Sequence, residues 1–329
     1  MNPTHIYLLI GLSLVVLELL YFRVADHFNI IDKPNLRSSH SSVTLRGGGI
    51  IFPMSMVVYA LFFGVSYPWF FVALMVLSLV SFIDDIRSVP NSVRLVIQFS
   101  AMFMVFWQWG IVSWQTWWLI VIALIFCTGV INAYNFMDGI NGITGGYSLA
   151  VLLPLLIINN RVGFVEQSLI VVAIISVLVF CFFNFRKRAK CFAGDVGSIG
   201  IAFIIIFLIG KLIVTTGNLW YIMLLALYGV DAILTIVHRI MLHEPLGQAH
   251  RKHVYQLMAN ELKLPHVVVS SIYMTLQLVI AAGLIWLPIN KWLYSVLVLV
   301  LLCVVYILFK KKYYHLHEEY LKQKEDVDR

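Results

Sequence analysis

The sequence predicts an all-α integral membrane protein of about eleven transmembrane helices, with its N-terminus outside and its C-terminus cytosolic. Three observations predict it. The 329 residues are 61% hydrophobic and only 12% charged, far more apolar surface than one aqueous core could hide. Apolar runs long enough to cross about 30 Å of hydrocarbon recur along the whole chain. Of the 23 Lys and Arg, only Arg161 and Lys291 fall in one set of alternate loops and Lys211 falls inside a run, so the opposite loops carry nearly all the positive charge.

Taken in order, the runs cover 5–22, 48–67, 68–83, 93–110, 117–135, 143–159, 168–185, 198–215, 219–237, 267–287 and 291–309. The first is too long for a signal-peptide core and is followed by Arg23, Asp26 and Asn29 without a small-residue cleavage pattern, so it reads as a retained helix. The loops at 111–116, 160–167, 215–219 and 288–291 are short and leave little built outside, where Trp107, Trp109, Trp114, Trp117 and Trp118 read as interface anchors. The cytosolic loops 23–47 and 238–266 are the long ones. Residues 1–309 therefore read as one multi-pass domain and 310–329 as a basic cytosolic tail, of which Tyr313 to Arg329 mixes Glu with Lys and His and reads as a solvated helix or frayed end. The net charge of +7, with Arg186, Lys187, Arg188, Lys190 and Lys310 to Lys312 facing the inner leaflet, is a topological signal and calls for no nucleic-acid partner. The four cysteines, three in apolar runs and Cys191 in a basic loop, suggest no disulfide framework.

The acidic residues outside the tail are distributed informatively. Asp84 and Asp85 follow the third run in SFIDDIRSVPN, Asp138 follows the fifth in NAYNFMDGINGITGG, and Asp195 precedes the eighth in FAGDVGSIG. All four lie at one membrane level. Carboxylates gathered there repel one another and are costly near hydrocarbon unless they share a cation, and Mg²⁺ or Mn²⁺ with hard oxygen ligands answers that problem. The neighbouring glycines, Gly139, Gly142, Gly145, Gly146, Gly194 and Gly197, free backbone N–H groups at helix termini for a phosphate. Asn132, Asn135 and Asn141 add amides at the same level that could donate to phosphate or offer an oxygen to a metal. In QAHRKHVYQ, His250 and His253 are expected to share one helical face with Arg251 and Lys252 alongside, a site for a second anion. Within the runs, Asp231 lies about two turns before His238, close enough to the cytosolic end to support the site, whereas packing or snorkelling explains Glu18 and Lys211. Asp32, Lys33, Arg37, Ser38, His40, Thr44 and Arg46 either border the phosphates or form a plain positive-inside loop.

With DKPNLRSSHSSVTLRGGG, SFIDDIRSVPN, NAYNFMDGING, AGDVGSIG and AHRKHVYQ in that order, the sequence resembles the polyprenyl-phosphate N-acetylhexosamine-1-phosphate transferases, which include the muramyl-pentapeptide translocase of peptidoglycan. The resemblance runs from about residue 23 to about residue 260. It implies a Mg²⁺-dependent enzyme of the bacterial cytoplasmic membrane, working at the cytosolic face. Such an enzyme transfers a sugar 1-phosphate from a UDP-N-acetylhexosamine to undecaprenyl phosphate, with UMP as co-product, to start a cell-surface glycan. Position by position, it implies that Asp195 and Asn135 bind the metal. Asp84 and Asp85 form the paired-aspartate motif, Asp84 orienting or deprotonating the lipid phosphate, while Asp138 lies near the nucleotide and His250 and His253 contact the diphosphate. Arg87 and Ser88 depart from the usual residues after the aspartate pair, and Asn141 stands where many members have a second aspartate. The histidine motif lacks the consecutive histidines of the peptidoglycan enzyme, which favours the O-antigen or capsule-initiating branch. Membrane lipid is the expected surrounding, with a homodimer as a candidate assembly.

The competing reading, a multi-pass transporter of an anionic solute, expects charged residues near the midplane and paired broken helices in two halves. Here the polar residues crowd one face. A CDP-alcohol phosphotransferase would gather its aspartates in one compact motif, whereas these are spread over three loops.

Overall fold

The computed structural model describes residues 3–32, 43–245 and 250–328. Lys33, Arg37, Ser38 and His40 lie outside the described residues. A helix stands at each of the eleven apolar runs: α1 (Pro3–His27), α2 (Ile51–Phe63), α3 (Pro68–Ile86), α4 (Asn91–Trp109), α5 (Trp117–Met137), α6 (Ile143–Val162), α7 (Gln167–Asn184), α8 (Gly194–Thr216) and α9 (Ala226–Met241), then α11 (His266–Trp286) and α12 (Lys291–Asp328) after a short α10 (Val254–Gln256). Among the described residues, nine helices are long and apolar enough to cross a membrane. The other two expected spans are the shorter apolar helix Gly48–Phe63 and α4, whose Arg94, Gln98 and Gln108 dilute its apolar face.

The helices are graded from centre to rim. In α8, 83% of the span is buried, and its side chains are apolar all round from Ile199 to Ile209, as a helix enclosed by others must be. It packs on α3, α5, α6 and α2. At the rim, α5 and α12 are only 17% buried and turn rows of Leu, Val and Ile outward, where lipid rather than protein would cover them. Because the chain alternates direction, the C-terminal ends of α3, α5, α7 and α9 and the N-terminal ends of α2, α4, α6, α8 and α11 meet at one face. That face receives the longer connections, as the charge pattern predicts.

One break in a span has a side-chain remedy. The chain enters α9 through a 3-10 turn, Leu219–Leu225, where the backbone bonds of a continuous helix fail. Gln277 of α11, fully buried, accepts from Leu227 N (3.2 Å) and donates to the Met223 carbonyl (3.1 Å). Tyr147 donates to the same amide oxygen (3.0 Å) and stacks on Tyr228 with centroids 3.5 Å apart. This polar layer fixes α6, α9 and α11 just beneath the polar face.

The sequence showed no strand, yet Ile31–Asp32 and Thr44–Leu45 pair antiparallel as β1 and β2. Beyond β2 the chain continues along Cys191–Ala193: Phe192 N donates to the Leu45 carbonyl (2.8 Å), Gly48 N to Phe192 O (2.8 Å) and Gly49 N to Ala193 O (3.0 Å). That pairing sets Arg46 against the tip of α8. It also explains two glycines, because a Cβ on Gly49 would stand 2.3 Å from Gly197 Cα. Glu18 of α1 is fully buried against Cys191, with Sγ and Oε1 3.7 Å apart, so packing rather than snorkelling accounts for it.

Candidate active site

The two aspartates that end α3 point in different directions and do different things. Asp85, with its carboxylate wholly buried, faces the N-terminus of α8, where the first backbone N–H groups have no partner within the helix. It accepts from Asp195 N (2.8 Å) through Oδ1 and from Val196 N (3.0 Å) through Oδ2, while Arg46 Nε donates to Oδ1 at 2.7 Å. A negative charge suits that positive helix end. Asp85 therefore holds the helix that carries Asp195. Asp84 turns the other way, accepting from Val89 N (2.6 Å) to close the turn into α4 and pairing with Arg94 (2.8 Å).

Two arginines tie the cluster together. Arg94 spans Asp84 and Asp195, its second amino group lying 3.0 Å from Asp195 Oδ2, and Arg46 reaches Asp195 Oδ1 at 3.5 Å. Burial works against the Arg46 charge, but Asp85, Asp195 and Asp32 more than offset it and hold its pKa above the ordinary value. From sequence alone Arg46 fits a plain positive-inside loop equally well, and no motif marks Arg94. Arg94 had a visible signal, an ionisable residue one turn inside an apolar helix.

Asn135 completes the cluster from α5. Its amide, with nitrogen toward Asp195 Oδ1 (3.2 Å) and oxygen toward Arg94 (3.0 Å), sits where its donors and acceptors are both satisfied. Among the described residues, no three His, Cys, Asp or Glu side chains converge as a metal-binding group. The available donor set is instead two carboxylates and an amide, Asp84, Asp195 and Asn135. All their donor atoms are oxygens of the kind a hard divalent cation takes when most of its ligands are water and phosphate, so they fit Mg²⁺ or Mn²⁺. Arg94 now supplies the shared positive charge.

Asp138 closes α5 beside this cluster. It accepts from Thr144 Oγ1 at 2.5 Å, and burial, assisted by the negative charge of Asp85 and opposed by the Thr144 bond, pushes its pKa up to about 6. A carboxyl whose folded pKa lies above its unfolded value of 3.8 contributes stability at low pH that is lost as pH rises through about 6. Asp138→Asn, which cannot titrate, is accordingly expected to match wild-type stability near pH 4 and to exceed it by on the order of 3 kcal/mol above pH 7. Thermal unfolding of both proteins in detergent at the two pH values checks this. An Asp138→Asn variant no more stable than wild type at about pH 7.5 would show that the buried charge is compensated.

The other two asparagines are not brought to the carboxylates. Asn132 donates to Gln98 Oε1 (2.7 Å) and the Thr128 carbonyl (2.8 Å), which commits both its N–H groups to the α4–α5 interface. Asn141 donates to the carbonyls of Arg186 (3.0 Å) and Lys187 (3.2 Å), fastening the basic loop after α7 to the turn that follows Asp138. In both, the amide nitrogen that was expected to face a phosphate is engaged within the protein.

The histidine segment is also corrected. Residues 250–253 are not helical, and His253 is extended (φ −64°, ψ 152°). It is the N-cap of α10, its N–H donating to Gln256 Oε1 (3.2 Å), and Asp231 of α9 braces it there, Oδ1 accepting from Val254 N (3.1 Å) and lying 3.4 Å from His253 Nδ1. Tyr273 donates to its Oδ2 at 2.6 Å and Thr235 to its Oδ1 at 3.2 Å, so the expected supporting role of Asp231 takes this concrete form. The two imidazoles meet by the fold of the loop, with centroids 5.0 Å apart. His253 Nε2 is buried without a hydrogen-bond partner among the described residues. Burial, then the nearby His253, Arg239, Lys252 and Lys310, pulls the His250 pKa down to about 3, so it is neutral near pH 7 and the fixed positive charge comes from the arginine and lysines. Arg251 donates to Tyr320 Oη (3.4 Å) and lies over that ring at 5.2 Å. Tyr255 joins the segment to the Asp138 turn, donating to the Phe136 carbonyl (2.9 Å) with its ring hard against Gly139.

Comparison with known proteins bears on this arrangement. Residues 67–213 match the family model of glycosyl transferase family 4. That stretch holds Asp84, Asp85, Arg94, Asn135, Asp138 and Asp195, while Arg46 and the histidine segment lie outside it. The chain is 25% identical over 271 residues, 75% of each chain, to a protein of Bacillus subtilis strain 168 named probable undecaprenyl-phosphate N-acetylglucosaminyl 1-phosphate transferase. It is 26% identical over 228 residues to the undecaprenyl-phosphate alpha-N-acetylglucosaminyl 1-phosphate transferase of Escherichia coli K12, covering 61% of this chain and 60% of that one. A phospho-N-acetylmuramoyl-pentapeptide-transferase of Limosilactobacillus reuteri is 36% identical over 99 residues, 29% of this chain and 31% of its own.

Proposed function

The chain belongs to glycosyl transferase family 4, and on that premise we propose that it transfers an N-acetylhexosamine 1-phosphate from a UDP-sugar to undecaprenyl phosphate at the cytosolic face of a bacterial inner membrane. The observation that carries the reading is the cluster of Asp84, Asp195, Asn135, Arg46 and Arg94 at the tip of α8, next to the Asp138 turn and the docked histidine segment.

The lipid phosphate attacks the β-phosphorus of the UDP-sugar in line. One P–O bond forms to the lipid oxygen, the bridging P–O bond to the α-phosphate breaks, and UMP leaves. Two polyanions must meet at a low-dielectric boundary, so the work is neutralisation and positioning. Mg²⁺, with Mn²⁺ as a substitute, would be held by Asp195 and Asn135 with Asp84 in reach, and would supply charge neutralisation to the diphosphate. Arg46 and Arg94 hold fixed positive charge beside the same oxygens. A phosphate monoester is largely dianionic at neutral pH, its second pKa being about 6, so the acceptor needs orientation more than deprotonation. Asp84 is bonded to Arg94 and Val89 N and is suited to that orienting part.

Donor labelled at the β-phosphate tests the bond that breaks. The label is expected in solvent-extractable undecaprenyl-diphospho-sugar with UMP in the water phase. Label left in the water phase as UDP would mean a glycosyl rather than a phospho-sugar transfer and overturn the reading.

A further inference from the structure

The α12 helix does not end with its apolar run. It continues unbroken across residue 310, and one stripe at i+4 and i+3 spacing, Tyr306, Lys310, Tyr314, His317 and Tyr320, turns inward while Lys311 and Lys312 remain outside it. Each member of the stripe has a partner near the histidine segment or in the elements that hold it. Tyr306 Oη lies 2.9 Å from Thr235 Oγ1, itself bonded to Asp231. Lys310, buried, donates to the Lys252 carbonyl and lies over the Tyr306 and Tyr314 rings. Tyr314 also faces Lys252 Nζ at 5.7 Å and the His238 ring at 4.6 Å. His317 Nδ1 meets Glu261 Oε1 at 2.9 Å, just beyond α10, and Tyr320 lies under Arg251.

A buried ammonium is costly unless its donors are used. Here one donor goes to the backbone of the residue immediately before His253. The carbonyl it holds sets the chain direction from which His250 and His253 emerge. Resting on the transferase reading above, we propose that the α12 extension is a clasp that positions the histidine segment for the donor diphosphate, with Lys310 as its central positioning residue. The part of the sequence that reads as a solvated tail is then a working piece of the donor site.

Two measurements on the full-length protein in detergent test this together. The first is the rate of tryptic cleavage at Arg251 and Lys252, which needs no activity. Lys310→Gln and Tyr314→Leu are expected to be cut about tenfold faster than wild type, Lys310→Arg much as wild type, and the exposed-control variant Lys311→Gln unchanged. The second is the kinetic split: Lys310→Gln is expected to raise KM for the UDP-sugar about tenfold, with kcat and KM for undecaprenyl phosphate within about twofold, and Lys310→Arg to restore it. Cleavage of Lys310→Gln at the wild-type rate would overturn the proposal, as would a fall in kcat with a rise in both KM values together, the mark of general destabilisation. A wild-type protein without transferase activity would sink the transferase reading, and the cleavage rates would still decide whether the clasp exists.

Discussion

Asp195→Asn is expected to lower kcat/KM for UMP release about 10³-fold while leaving the protein folded. The substitution keeps the size and hydrogen-bonding shape of the side chain and removes its charge. Asp195 is the carboxylate that both arginines reach and that the Asn135 amide faces, so it holds together the positive charge on which two approaching phosphates depend. Loss of one well-placed electrostatic group in a dry site typically costs about 10²–10³ in rate, and a carboxylate proposed to hold the metal as well belongs at the upper end. Initial rates at varied donor concentration, with elution profile and thermal unfolding as controls for folding, measure it. A variant within tenfold of wild type would mean that the reacting groups lie elsewhere.

Asp85→Ala is expected to fail differently, through stability. Both its oxygens are engaged, by Asp195 N, Val196 N and Arg46 Nε, and its carboxylate is fully buried. Truncation takes the acceptor from two helix N–H groups at the end of the most enclosed helix and leaves Arg46, partly exposed, with Asp195 as its remaining carboxylate. Leaving a buried donor unsatisfied costs about 1–3 kcal/mol, and two such N–H groups lose their acceptor, so a marked fall in thermal midpoint in detergent is the expected readout. Asp84→Ala, whose partners are a turn N–H and Arg94, should lose activity with a smaller loss of stability. Equal thermal midpoints for the two alanine variants would contradict the division of labour between the aspartates.

Much of this was legible in the sequence because a bilayer is a demanding solvent. The apolar runs and the Lys and Arg bias depend only on transfer from water to hydrocarbon, and a helix stands at every run. The gathering of Asp84, Asp85, Asp138 and Asp195 followed from the same alternation. What pairing does to those charges was not legible. Asp85 meets the N–H of Asp195 across 110 residues of sequence, and no local pattern announces it. Arg46 is placed by a two-residue strand and a glycine run laid along Cys191–Ala193, elements too short to carry a periodic signal. Spacing of three suggested a shared helical face for His250 and His253, but His253 is the extended N-cap of α10, braced there by the buried carboxylate of Asp231. The inward stripe of α12 was readable as a period of three and four, yet the interspersed Glu and Lys made the same residues look like solvated helix.

The most direct test of the central claim is UMP release by the purified protein in detergent with Mg²⁺, undecaprenyl phosphate and a panel of UDP-N-acetylhexosamines, each substrate also being omitted in turn. The account predicts UMP only when both substrates are present, with one donor preferred, and its loss on addition of EDTA. Folded protein that releases no UMP with any donor, or that releases it without the lipid phosphate, would contradict it.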